Sequence, residues 1–174
     1  MQKSASNIIA LILLVMSLTY ICWWLFTTMT LNNNFRSIDQ WEEINKIEQI
    51  YELDDENIDV FIGTDYGYLK NPYFNHPKAD GVAYNYGSRY AIWIKDGLSS
   101  ARFITVVFHE YAHVYSYVHN IKYTNSESAA EYKAFVMMNE NGYKWEAFCL
   151  LHQHTWGAVN DNYNAKGKMW TYLI

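Results

Sequence analysis

The sequence predicts an α+β fold: an N-terminal transmembrane helix, then a small domain in which a short sheet or hairpin packs on a central helix and a second helix carries glutamates. Three features lead there. Residues 8–29 are one apolar block, β-rich runs at 58–62 and 82–94 are bounded by turn residues, and stretches with helical spacing follow from about residue 100.

The chain has 174 residues, 51% hydrophobic and 18% charged, which bounds it to one domain plus an apolar segment. Its formal charge of -5 leaves no basic surplus for a phosphate backbone, so no nucleic acid partner is expected. Nothing in the composition sets an oligomeric state.

The 22 residues from Ile8 to Met29 contain no charged residue, His, Pro or Gly. At about 1.5 Å per residue they cross a hydrocarbon core of roughly 30 Å. Tyr20, Trp23 and Trp24 suit the headgroup layer, and Asn32, Asn33 and Asn34 mark the exit into water. A cleaved signal would have an apolar part of about 7–15 residues and a small-x-small site, and no such site is found. Residues 1–30 are therefore read as a retained anchor in the lipid bilayer and residues 31–174 as the domain. Lys3 and the amino terminus before the block, against Arg36 followed by Asp39, Glu42 and Glu43 after it, lean toward a cytoplasmic amino terminus and an extracytoplasmic domain. Cys22 lies in the apolar block, so Cys149 has no partner within the domain and is expected to be buried.

Ser37 can cap a helix with apolar positions Ile38, Trp41, Ile44, Ile47 and Tyr51. Ile58 to Ile62 reads as a short strand. A Tyr-rich loop with Pro72 and Pro77 follows, and then a hairpin from Val82–Tyr86 and Tyr90–Ile94. Ser99 or Ser100 can cap the central helix, which runs to Val118. A helix over 126–139 ends before Gly142, a short one covers Trp145 to His152, and glycines at 157 and 167 break the remainder.

His109, Glu110 and His113 form H-E-x-x-H on the central helix. Residues four apart lie on one helix face, so both imidazoles can reach one ion while Glu110 stands beside the open coordination position. Catalytic zinc takes three protein ligands and leaves one position for water. The residues offer Glu127, Glu131 or His119 as the third. Glu127 lies on the next helix and Glu131 is one turn on, where it can accept a hydrogen bond from a ligand histidine; a capping box of Thr124 with Glu127, or of Ser128 with Glu131, accounts for the same acids structurally. His119 completes a spacing similar to the metzincin motif H-E-x-x-H-x-x-G-x-x-H. Ser116 replaces its glycine, however, so the helix is expected to continue and carry His119 to another face.

With Glu127, Ala130, Glu131 and Ala134 behind H-E-x-x-H, residues 102–134 resemble the core of gluzincin-type zinc peptidases, especially the HtpX and Ste24 group with its E-x-x-A-D-x-x-A helix, and the ImmA/IrrE-type peptidases. Position 131 is glutamate where that motif has aspartate, and one anchor replaces the several spans of HtpX and Ste24 proteins. The resemblance implies a zincin-like domain, one catalytic zinc on His109, His113 and Glu127, and Glu131 behind a ligand. It also implies endopeptidase activity on peptide or protein substrates, with Glu110 taking the proton of the attacking water. His152, His154 or a tyrosine can supply a further donor to the oxyanion, and residues 84–94 can pair with an extended substrate. The competing expectations are a metzincin-like enzyme using His119, a membrane-anchored metal- or protein-binding protein without turnover, and an accessory protein of a mobile element.

Overall fold

A computed structural model describes residues 2–33, 38–64, 79–121 and 127–152. Ser37, the 65–78 loop with both prolines, Thr124, Ser126, His154 and the glycines at 157 and 167 lie outside the described residues. The elements are α1 (Gln2–Asn33), α2 (Gln40–Ile50), β1 (Ile58–Gly63), β2 (Gly81–Asn85), β3 (Tyr90–Lys95), α3 (Ser100–Val118), α4 (Glu127–Glu140) and α5 (Lys144–His152). Within α1, Ile8–Phe26 has mean hydropathy 2.4 and is long and apolar enough to cross a membrane.

The N-cap of α2 is Asp39, whose carboxylate accepts from the N–H groups of Trp41 and Glu42. Such a cap is worth about 1 kcal/mol, little beside the burial of Ile44 and Ile47, which fixes the helix on the core. Trp41, expected on the packing face, is instead 53% exposed. At the end of α2, Tyr51 is buried among the rings of Phe108, Tyr111 and Tyr115, and its hydroxyl donates to the Phe108 carbonyl at 2.8 Å.

The expected hairpin is present: β2 runs antiparallel to β3, with Ala83 opposite Ile92. The parallel pairing of β1 with β3 was not expected, and it makes a three-stranded sheet in the order β1-β3-β2. The central strand is buried on both faces, as period-two alternation requires. Ile92 and Ile94 enter the main core, while Ala91 and Trp93 join Val82 and Tyr84 on the other side.

Ser99 caps α3, accepting from the Arg102 N–H, and 14 of the 19 residues of this helix are buried. Ala112 of α3 and Ala130 and Ala134 of α4 are fully buried, and small residues there let the two backbones come close. α5 adds Ala147, Leu150 and Leu151 to the same core. The start of β2 is tied to α3 by Asp80, whose Oδ2 takes Arg102 Nε and Nη2, each at 2.9 Å.

Cys149 is fully buried against Ala101, and burial pushes its thiol up to about 12. At pH 8 about one part in ten thousand would be the reactive thiolate. In a Cys22→Ser protein, Cys149 should therefore resist a disulfide reagent until denaturant is added. Modification at free-thiol rates in the native state would show that α5 does not pack on the start of α3.

Candidate metal centre

His109 and His113 point the same way from one face of α3, with Nε2 atoms 3.1 Å apart and rings meeting edge to face. Glu127, the first residue of α4, comes over them. Its Oε2 is 3.0 Å from His109 Nε2, and its Oε1 is 3.6 Å from His113 Nε2. One donor atom from each residue lies within 4.8 Å of the others, a group that can hold a metal ion. Bonds of about 2.0–2.1 Å in a tetrahedron put neighbouring donors about 3.3–3.4 Å apart, so the two imidazoles are spaced to share one ion. Two Nε2 atoms at 3.1 Å can share only one proton between neutral rings, whereas a cation accepts a lone pair from each.

Electrostatics tie the group together. The hydrogen bond from His109, with the imidazole of His113 close by, holds the Glu127 carboxyl far below its usual range, although two-thirds of the side chain is exposed and solvent softens the pair. Burial would lower His109, but the hydrogen bond to Glu127 and the charges of Glu110, Glu127 and Glu131 outweigh it and raise this imidazole. His113 is buried, and its Nδ1 has no hydrogen-bond partner among the described residues.

Glu110 is 5% exposed, and burial raises its carboxyl against the lowering pull of both imidazoles. It lies where β2 crosses α3. A Cβ on Gly81 would fall 2.5 Å from Val106 Cγ1 and 2.7 Å from Glu110 Oε1, so glycine is what lets the strand come this close. Antiparallel hydrogen bonds alternate, and Tyr86 N–H to Arg89 and Lys95 N–H to Asp80 set the phase. Gly81, Ala83 and Asn85 therefore turn their backbone groups away from β3, and the Ala83 N–H donates to the Glu110 carboxylate. Among the described residues β2 is an edge strand, and its free edge leads to Glu110.

The other candidates fall elsewhere. α3 continues past Ser116, and His119 caps its C-terminus, stacked on Tyr115 with Nδ1 donating to the Tyr115 carbonyl at 2.9 Å. His119 and Glu131 are not in the metal-holding group. Glu131 is buried, and its charge acts on His109. His152 lies at the end of α5.

Tyr117 had not been singled out among sixteen tyrosines. Its ring packs near-parallel to His113 on one side and Tyr90 on the other, and the charges of Glu110 and Glu127 add to burial in raising its hydroxyl. The i,i+4 spacing from His113 is the signal that marks it.

Compared with known proteins, the chain matches no family model, no curated protein and no solved structure.

Proposed function

We propose that the chain is a zinc-dependent endopeptidase with a minimal gluzincin-like site, held at a membrane by α1. One observation carries this reading: two imidazoles and a carboxylate converge beside a buried glutamate at the free edge of a strand. His109, His113 and Glu127 would hold the ion, which when bound supplies a Lewis acid that acidifies a water and polarises a peptide carbonyl.

The residues of the chain do the rest. Outward-facing backbone groups of Gly81 and Asn85 would pair with an extended peptide and align it along β2. Glu110 takes a proton from the water as its oxygen bonds to the carbonyl carbon, then passes that proton to the departing nitrogen as the C–N bond breaks. Tyr117 donates its hydroxyl hydrogen to the carbonyl oxygen as charge gathers there. No covalent enzyme intermediate is required.

Purified full-length protein is expected to hold one zinc per chain and to cleave a fluorescent casein. Glu110→Gln should keep the zinc and lose at least about 10²–10⁴-fold in rate; cleavage at the parent rate would sink the mechanism. For the third ligand, Glu127→Ala should weaken zinc by more than the roughly 10–100-fold cost of losing an outer partner, while His119→Ala leaves it unchanged. The reverse pattern in zinc titrations would hand the role to His119. Tyr117→Phe should lower kcat about 10²-fold or more at unchanged zinc content, and an unaltered kcat would remove Tyr117 from the chemistry.

A further inference from the structure

The domain does not hang free of α1. Trp23, near the end of the apolar stretch Ile8–Phe26, sets its ring edge-on to Phe148 of α5 with centroids 5.5 Å apart, and α1 also touches α3. Phe148 in turn stacks on Trp145 at 5.7 Å, and Trp145 is 37% exposed. Close by, the N-cap Asp39 of α2 and Trp145 line one cavity of about 500 Å³ together with Ile38, Ala101 and Tyr143. Two residues beyond Asp39 stands Trp41, 53% exposed. Two uncovered indoles thus sit on neighbouring helix N-termini, beside the place where α1 meets the domain.

Depth follows from helix geometry. Trp23 is three residues before Phe26 and six before Met29, about 4.5–9 Å along the axis from the end of the apolar block. If α1 spans the bilayer, a ring touching Trp23 cannot stand clear of it, and α5 must lie in the interfacial layer. Charge does not draw it there: Asp39, Glu42, Glu43 and Glu146 occupy these same turns. The amphipathic indole, with its known preference for headgroups, supplies the attraction.

We propose that α5 and the first turn of α2 seat the domain on the bilayer, with Trp41 and Trp145 in the headgroup layer beside Trp23. The proposal rests on α1 spanning the membrane and not on the peptidase reading. Ala101 packs on Cys149 of α5, and His109 lies eight residues further along α3, about 12 Å. The group of His109, His113 and Glu127 would thereby be held near the membrane surface.

The test uses the full chain with Cys22→Ser, reconstituted in phosphatidylcholine vesicles, leaving the buried Cys149 in place. Nitroxide labels are attached at Trp41→Cys, Trp145→Cys, mid-span Leu14→Cys, and Asp55→Cys beyond the far end of α2. Accessibility to oxygen and to a water-soluble nickel chelate is read by power saturation. Labels at 41 and 145 should show severalfold lower nickel accessibility than the label at 55, and higher than the label at 14. If 41 and 145 match 55 while 14 is deep, α1 spans but the seating is wrong. If 14 is also open to nickel, the spanning reading fails and the proposal fails with it.

Discussion

Everything near the metal group depends on one constraint: α3 is at once the centre of the hydrophobic core and the carrier of His109, Glu110 and His113. An ionisable group in an apolar core costs several kcal/mol unless it is paired. The fold meets this by giving one side of α3 to polar neighbours. Glu110 faces the Ala83 N–H at the edge of β2, and the imidazoles face Glu127 at the start of α4. The remaining faces meet Phe, Val, Ile and Ala, so the polar strip is narrow and its members are forced together.

Close approach on both flanks of α3 sets the distances. On one flank Gly81 has no side chain, and β2 comes near enough to hand a backbone N–H to Glu110. On the other, alanines at 112, 130 and 134 bring α4 in, so that its first residue reaches the imidazoles. A carboxylate in the first turn of a helix is already favoured by the helix dipole. The position of Glu127 therefore suits the dipole of α4 and the imidazoles at once.

The helices were legible because their signals are local. Four-residue spacing put the two imidazoles on one face, and the continuous pattern through Ser116 foretold that α3 would carry His119 away. The α2 cap at Asp39 was missed because Ser37 and Asp39 are equally good caps, and the choice depends on where the chain turns onto the core. The parallel partner of β3 was not legible: Ile58 and Tyr90 are far apart in sequence, and no local pattern specifies a long-range pairing. Tyr117 was hidden by abundance. In a chain so rich in tyrosine, only the position relative to His113 distinguishes one ring that packs on a site imidazole from others that fill the core.

Trp41 is a different kind of miss. Its spacing from Ile44 and Ile47 places it on the face that packs, yet the protein stops short of covering it. Among the described residues, the apolar face of α2 runs past the edge of its own core. Trp145 on α5 runs past the same edge, and the apolar helix whose Trp23 touches Phe148 lies there too. Periodicity counts residues that leave water, not residues that enter protein. On a chain with a long apolar segment attached, the amphipathic pattern of α2 need not be satisfied by the core alone, and lipid is the second phase proposed for Trp41. The apolar residues of α3 are spent on the core, which leaves the two-thirds exposed Glu127 and the β2 edge, unpaired among the described residues, on the polar side of the same helix.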